Sequence, residues 1–270
     1  MLGTKKKLFI SGHGTYTVAP LDKFFSGLML KLIYIRARQI FCNSNYTASE
    51  ILKRVPQAQT KVVSLGTSQL LTPGSEYLKN VNSILSGRSP VILTVGALKK
   101  RKGQIYTLEA ILILKKNFPN IVYVLIGDDA DKNYKEKMLD FIKNNNLENH
   151  IIFITNVSDT KLSAWYHAAD IFALNSVNHD GHLEGFGLVI LEGYQFGLPA
   201  VGSRGCGIED VIVDGETGYL SNQKDSQDIA EKIKKILESG KSKYFNACKE
   251  FAKKFQWENT AHTYLSEYAK

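Results

Sequence analysis

Cysteine and long hydrophobic runs are both scarce in this sequence of 270 residues. The three cysteines, Cys42, Cys206 and Cys248, show neither paired nor metal-like spacing. This pattern argues against a disulfide framework and a structural metal, and it favours a reducing compartment. No apolar run is long enough to span a bilayer. The lysines at 5–7 precede only three apolar residues, too few for a secretory signal.

What is present is the composition of a globular protein with its basic residues at one end. Apolar residues make up 44% of the chain, enough to build one large or two medium domains rather than a disordered chain. The net charge of +8 lies in residues 1–80, which hold eleven Lys or Arg against three Asp or Glu. The basic and aromatic residues follow no recognisable nucleic-acid-binding pattern, so we expect no nucleic-acid partner.

Residues 22–38 combine large apolar side chains, among them Phe24, Phe25 and Leu28, with Lys23, Lys31, Arg36 and Arg38. This is the composition of an amphipathic helix that rests on an anionic membrane surface. The alternative is a core helix whose charged side faces water, and the sequence favours this second interpretation by a modest margin. A membrane-bound helix would place the protein at the inner face of the membrane; otherwise we expect a cytoplasmic location.

From about residue 88 onward, short β-branched runs alternate with longer helical patterns. This alternation predicts a doubly wound parallel sheet that binds ligands at the carboxyl ends of its strands. The predicted strands are 91–95, 121–126, 151–154, 170–174 and 199–202, followed by a turn and a short strand over 215–220. The predicted helices are 104–116, 134–144, 158–168, 188–196 and 226–237, the third with Ser158 as its N-cap.

The first third of the chain shows the same alternation over a shorter length. The predicted strands are 8–11, 40–43 and 61–65, and the predicted helices are 22–38 and 47–54. The turn-forming residues in 66–90 predict a linker, and 257–268 predicts a final helix. We therefore expect a partial first domain over 1–80, a complete second domain over 81–250 and a terminal segment over 251–270.

Glu184 and Glu192 flank a loop, Gly185-Phe186-Gly187, and the start of an apolar run. The run predicts a helix that opens at Gly187, so that its first backbone N–H groups, which lack partners within the helix, can bind a phosphate. The two carboxylates can accept hydrogen bonds from sugar hydroxyls on either side. The pattern therefore predicts a sugar-nucleotide site. A buried helix end with two incidental glutamates is the less favoured alternative.

These motifs resemble the retaining glycosyltransferases of the GT-B fold, specifically glycosyltransferase family 4. The resemblance implies an α/β protein with two Rossmann-like domains, of which the carboxyl-terminal one binds the nucleotide sugar and the amino-terminal one binds the acceptor. By this resemblance we expect the amino-terminal domain to be incomplete here, without its first strands and most of the acceptor site. The segments that carry the resemblance are 94–103, 124–128, 169–172, 184–192, 197–199 and 214–218.

The resemblance assigns roles by position. Glu184, Lys102 and His13 are the implied catalytic residues: Glu184 holds the hexose, Lys102 meets the diphosphate and His13 approaches from the amino-terminal domain. Glu192 would hold the ribose. The remaining implied donor-binding residues are Arg101, Asn156, Val157, Gly185, Phe186, Gly187 and Leu188.

The sequence departs from the family pattern in three places. Ala97 stands where an arginine often helps to bind the diphosphate, and Arg101 is a candidate to compensate. Thr155 occupies a usual glycine, and the pair at 193–194 replaces a small residue and a methionine.

The expected function is transfer of a hexose from a UDP- or GDP-sugar to a saccharide or lipid-linked acceptor, with retention of anomeric configuration and without a metal or cofactor. Two alternatives stay open. One is a catalytically silent sugar-nucleotide-binding module or fragment that needs a partner chain, and the other is a sugar-nucleotide 2-epimerase. A peripheral membrane protein without sugar chemistry ranks last.

Overall fold

Two separate parallel sheets organise the protein in a computed structural model that describes residues 7–269. The first two of the three lysines at 5–7 lie outside the described residues. The smaller sheet has the order β1-β2-β3 and the larger has the order β6-β5-β4-β7-β8-β9. The strands are β1 Phe9–Gly12, β2 Gln39–Cys42, β3 Thr60–Val62, β4 Val91–Val95, β5 Val122–Ile126, β6 Ile151–Ile154, β7 Ile171–Leu174, β8 Ala200–Ser203 and β9 Gly218–Ser221.

The larger sheet reverses its direction of growth between two adjacent strands, β4 and β7. From β4 the chain adds β5 and β6 on one side, and it then returns to add β7, β8 and β9 on the other. In such sheets the loops that follow the two strands at the reversal diverge and leave a crevice for ligands. Here those loops are 96–103 and 175–187.

Apolar residues on both faces of the larger sheet form the main core. Strands β5 and β7 are buried along their whole length, which is why they appear in the sequence as continuous apolar runs. The helices that cover this sheet are α4 Ser75–Leu85, α5 Gln104–Leu114, α6 Lys132–Asn144, α7 Asp159–Ala168, α8 Leu188–Tyr194, α9 Ser226–Ser239 and α10 Ser242–Ala252.

The smaller sheet has its own apolar core, built with α1 Thr15–Val18, α2 Phe24–Arg36 and α3 Asn45–Arg54. The last helix, α11 Trp257–Tyr268, packs against this sheet rather than the larger one. Its Tyr264 ring lies 4.5 Å from the Phe41 ring, and the Thr260 hydroxyl donates to the Ser64 carbonyl at 2.8 Å. The domain boundaries at 80 and 250 stay predictions.

The expected linker over 66–90 is wrong in its second half, which contains α4. Gly74 is the N-cap of this helix, and Ser86 ends it in a left-handed conformation with φ of 52°. Turn-forming residues that indicated a loop are therefore the two ends of a helix. The sequence also gave no sign of α10, and α8 ends two residues before its predicted end.

Helix α2 exposes its apolar side chains, so the favoured expectation of a core helix over 22–38 is wrong. Only Gly27 and Tyr34 of α2 are buried. The large apolar residues that α2 exposes are Phe24, Phe25, Leu28, Met29, Leu32, Ile33 and Ile35. Phe24 and Phe25 are each more than 80% exposed. A helix that is apolar nearly all round cannot bury every side against one small sheet. The uncovered side remains open to another surface.

The three cysteines are buried free thiols. Burial raises the pKa of each to about 12, so they remain protonated at neutral pH. Over residues 7–269, every helix is too short or too polar to cross a bilayer.

Candidate functional site at the reversal of the larger sheet

The loops after β4 and β7 bring Lys102, Arg101 and Glu184 together. Glu184 Oε2 accepts hydrogen bonds from Lys102 Nζ at 2.6 Å and from Arg101 Nη1 at 3.0 Å. The Ser176 hydroxyl donates to the same oxygen at 3.1 Å. Because β4 and β7 are neighbours, residues 82 positions apart in sequence meet at one edge of the sheet. This is where a doubly wound sheet binds its ligand.

The Glu184 carboxylate is ionised although it is largely buried. Burial raises its pKa, but the charges of Lys102 and Arg101 outweigh that effect, so the net pKa lies below the ordinary carboxyl value. Both cations are also less than one-third exposed. A negative ligand that entered here would compete with Glu184 for two preformed cations.

A cavity of about 280 Å³ opens beside this cluster, and we call it the Glu184 cavity. His13 reaches it from the smaller sheet, on the loop that follows β1, and its Nε2 lies 3.0 Å from the Ser11 hydroxyl. Both sheets thus contribute to one cavity. Its lining is His13, Thr15, Tyr16, Asn43, Leu65, Arg101, Lys102, Leu183, Glu184, Gly185, Phe186, Gly187, Leu188 and Val189.

The start of α8 forms part of this lining. Gly187 adopts a positive φ of 104° at the N-cap position, a conformation that costs glycine little. The first backbone N–H groups of a helix have no partner within it, and Leu188 and Val189 occupy this first turn. The wall therefore combines two cationic side chains with a helix start.

The two halves of the molecule approach closely at this cavity. The Thr15 hydroxyl donates to the Leu183 carbonyl at 3.0 Å and accepts from the Leu183 N–H at 2.9 Å. A Cβ atom placed on Gly14 would lie 2.9 Å from the Gly185 Cα. Two glycines therefore let the backbone of the β1 loop reach the loop before α8.

Glu192 does not line the Glu184 cavity. The residue lies one turn into α8, and its Oε2 accepts a hydrogen bond from the Tyr166 hydroxyl at 2.7 Å. Burial raises the pKa of Glu192, since Tyr166 offsets only part of the desolvation. The two glutamates of the motif thus occupy opposite electrostatic environments, and they are not brought into one cavity.

Asn156 and Val157 lie apart from the cluster as well. They follow β6, the edge strand, which β5 separates from β4. They line a different cavity, of about 160 Å³, together with Tyr77 and Trp165. The structure thus brings together His13, Arg101, Lys102 and the segment 184–188 in one cavity, and it places these two positions and Glu192 outside that cavity. The roles assigned to all of them stay predictions.

Sequence reasoning missed several contributors to the site. Ser176 contacts Glu184, Thr15 joins the two halves, and Tyr166 holds Glu192. Ser176 follows the end of β7 by two residues, a position that could have indicated a ligand-facing loop. Thr15 and Tyr166 gave no such signal, because their partners lie far away in the sequence.

Comparison with known proteins identifies the family. The family model described as Glycosyl transferases group 1 matches residues 79–255, about two-thirds of the chain. The protein belongs to this family. The matched segment contains β4 to β9 and the Lys102–Glu184 cluster.

Two relatives illustrate the range of this similarity. The D-inositol 3-phosphate glycosyltransferase of Corynebacterium urealyticum is 28% identical over 222 residues, which cover 78% of this chain and 51% of the relative. The GDP-mannose-dependent alpha-(1-6)-phosphatidylinositol monomannoside mannosyltransferase of Mycolicibacterium smegmatis is 27% identical over 153 residues. These residues cover 56% of this chain and 39% of the relative. The matched regions therefore span about half or less of these relatives.

A solved structure supports the fold. Anabaena HepE, crystallised with UDP and glucose, superimposes with a TM-score of 0.83 at 20% sequence identity, over 98% of this chain and 72% of HepE. The chain has the GT-B fold of such glycosyltransferases. The similarities favour a transferase over the silent module and the epimerase.

Proposed function

We propose that this chain provides the nucleotide-sugar site of a retaining hexosyltransferase that uses a UDP- or GDP-sugar. The observation that carries the proposal is the cluster of Lys102, Arg101 and Glu184 at the reversal of the larger sheet, where the start of α8 and His13 meet the same cavity. Two cations, a helix start and a carboxylate suit a ligand that joins a diphosphate to a hydroxylated ring.

In this proposal the donor diphosphate binds to Lys102 and Arg101, and Glu184 then accepts hydrogen bonds from the hexose hydroxyls. When the bond between the anomeric carbon and the diphosphate oxygen breaks, negative charge grows on that oxygen. Lys102, held in place before the reaction, stabilises this charge more strongly than water would. We propose that these side chains do this without a metal ion.

Retention of configuration, which the family resemblance implies, needs either a covalent intermediate or attack from the face on which the leaving group departs. Retaining glycosidases form the covalent intermediate on one carboxylate of a pair. Among the described residues that line the Glu184 cavity, Glu184 is the single carboxylate, and it is ion-paired. We therefore propose that the acceptor hydroxyl attacks from the face on which the diphosphate leaves.

The nucleoside is assigned to the rim of the larger sheet. Glu192 would accept from the ribose hydroxyls, and Asn156 and Val157 would contact the base. The names of the relatives mention GDP-mannose in one case and UDP in another, so both nucleotides belong in the test.

Product analysis by NMR tests the reaction. We expect slow hydrolysis or transfer from a UDP- or GDP-sugar, with the α-anomer of an α-linked donor retained. Glu184→Ala should reduce the rate by about 10- to 100-fold, the loss expected for one or two charge-assisted hydrogen bonds. Glu216→Ala removes an exposed carboxylate and is the matched control. Full turnover by Glu184→Ala would contradict the proposal.

We further propose that α2 binds an anionic membrane surface, which would present a saccharide or lipid-linked acceptor at the inner face of the membrane. Large apolar side chains exposed on one helix mark an interaction surface. The basic residues Lys23, Lys31, Arg36 and Arg38, on or beside α2, complement an anionic bilayer rather than a neutral one.

Vesicle co-sedimentation tests the membrane proposal. The protein should sediment with vesicles rich in phosphatidylglycerol and stay in solution with phosphatidylcholine alone. The double variant Phe25→Ser and Leu28→Ser should abolish sedimentation, whereas Leu265→Ser, an equally exposed leucine on α11, should leave it unchanged. Equal sedimentation of the wild type and the double variant would refute the role of α2.

A further inference from the structure

A second and larger cavity lies away from the Glu184 cavity, and we call it the Lys249 cavity. Its volume is about 630 Å³, within the range of small-molecule sites. It lies between the extended segment after β3, the end of α8, helix α10 and the turn before α11. Its lining is Thr67, Gln69, Leu70, Thr72, His167, Gln195, Phe196, Lys241, Phe245, Lys249, Ala252, Lys253, Phe255 and Gln256. The two cavities share no lining residue.

Positive charge dominates this cavity. Three lysines line it, and none of its described lining residues is an aspartate or glutamate. Lys241 Nζ donates to the carbonyls of His167 and Ala169 at 3.2 and 2.7 Å, and Lys253 pairs with Glu250 on the surface. Lys249 is exposed, with its Nζ 5.2 Å from the centre of the Phe245 ring. The charge favours an anion.

The other side chains suit a ring that carries polar groups. Phe196, Phe245 and Phe255 offer aromatic surface, and Gln69 and Gln256 offer amides that both donate and accept. The Gln195 amide is already bonded to the backbone of Leu70 and Ser68. Lysine binds phosphate as a point charge, while an aromatic side chain packs against a flat or apolar ring face. Anion, ring and hydroxyl recognition therefore coincide in one cavity.

We infer that the Lys249 cavity is a second small-molecule site, for a phosphate-bearing compound with a ring body. Lys249 would contact the phosphate, and the three phenylalanines would hold the ring. This site is separate from the donor site of the proposed function, and its existence does not depend on that function.

Two ring contacts connect the Lys249 cavity to the donor residues. Phe255 lies 5.8 Å from Phe186 of the Gly-Phe-Gly loop, and Phe196 stacks on Tyr166 at 6.0 Å. Tyr166 in turn donates to Glu192. The Lys249 cavity therefore shares aromatic packing with Phe186 and Tyr166, two residues beside the proposed donor site.

Calorimetry with glucose 6-phosphate and adenosine 5′-monophosphate tests the site, because these probes share a phosphate and differ in the ring. We expect at least one of them to bind the wild type. Lys249→Glu should weaken that binding by at least about tenfold, a loss of about 1.4 kcal/mol. Lys243 is an exposed lysine on the same helix but outside the lining, and Lys243→Glu should bind as the wild type does.

Three outcomes would overturn the inference: no binding of either probe at millimolar concentration, equal binding by Lys249→Glu, or binding lost in Lys102→Ala instead. The last result would place the probe in the Glu184 cavity. Melting curves of both α10 variants check that they fold. Neither probe is a nucleotide sugar, so a failure of the probes to bind the Lys249 cavity would not contradict the proposed donor site. A failure of the donor site to bind nucleotides would likewise not contradict the Lys249 cavity.

Discussion

Glu184 and Glu192 are the same residue type in the same motif, but their surroundings move their pKa values in opposite directions. Lys102 and Arg101 keep Glu184 charged, whereas Glu192 is desolvated beside the neutral hydroxyl of Tyr166. The two carboxylates are therefore suited to different tasks. Glu184 is a fixed negative charge, and Glu192 is an acceptor that destabilises the fold when it ionises.

Replacing Glu192 with glutamine should stabilise the protein at neutral pH. A carboxyl whose folded-state pKa is raised destabilises the fold as pH rises above its ordinary value of 4.5. Glutamine removes that charge and can still accept from Tyr166. Melting curves should show that Glu192→Gln melts at a higher temperature than the wild type. The difference should be complete above the raised pKa of Glu192 and absent at pH 3. An equal gain at both ends of this range, or a loss at pH 7, would contradict the environment described for Glu192.

At the scale of elements, α2 departs furthest from an ordinary packed helix. Its neighbours bury Tyr34, whose hydroxyl donates to the Thr17 carbonyl at 2.9 Å, but leave Leu28 and Met29 more than 60% exposed. The helix is thus fixed to the smaller sheet by a few residues, and most of its apolar surface adds nothing to the stability of this chain.

Substitutions along α2 should distinguish its buried side from its exposed apolar side by their effect on stability. Leu28→Ser and Met29→Ser should each change the free energy of unfolding by less than about 0.5 kcal/mol, as at other exposed positions. Tyr34→Phe should cost about 1 kcal/mol, because it leaves the buried Thr17 carbonyl without its donor. Urea unfolding measures all three. A cost above about 2 kcal/mol for either serine variant would show that the helix is covered in solution.

Sequence patterns predicted the elements best where their signal is local. Strands β4 to β8 and the helices between them follow from apolar runs of the right length. Helix α4 could not be predicted in the same way. Gly74 and Ser86, which cap its two ends, are residue types that are also common in turns. The exposure of α2 also depends on which neighbours cover it, and local pattern carries no such information.

At the scale of the whole molecule, the two halves meet through glycine backbone beside the Glu184 cavity. A Cβ on Gly185 would lie 2.9 Å from Asn43 Nδ2 and 3.1 Å from the Gly14 Cα. Both distances are shorter than ordinary contacts, so a side chain there would force the β1 loop, with His13, away from the loop before α8.

Gly185→Ala should therefore impair the reaction more than the fold. We expect the hydrolysis or transfer rate to fall by about 2- to 5-fold, because the Gly14 contact must open by only a few tenths of an ångström, whereas a displacement of about 1 Å costs about 100-fold. The melting temperature should change little. Gly74→Ala, where the added Cβ would meet only an ordinary contact with Tyr77 at 3.7 Å, is the control. An unchanged rate for Gly185→Ala would show that the close approach of the two loops has no part in the reaction.

The strand order limited how much of the site could be predicted. The motif itself indicated Glu184 and the start of α8, and the resemblance added Lys102, Arg101 and His13. Their meeting depends on β4 and β7 being neighbours, which requires pairing between distant segments. The same order places Asn156 beyond β5, in the loop that follows the edge strand β6. Long-range pairing of this kind leaves no mark in a single sequence.

Calorimetric titration of UDP and GDP into the wild type, Lys102→Ala and Lys100→Ala tests the donor site most directly. We expect one of the two nucleotides to bind the wild type and to bind Lys102→Ala about 10- to 100-fold more weakly, because one charge-assisted contact to the diphosphate is lost. Lys100→Ala, an exposed lysine in the same loop, should bind like the wild type. No binding of either nucleotide at millimolar concentration, or equal affinity in Lys102→Ala and the wild type, would contradict a diphosphate site at the Lys102–Glu184 cluster.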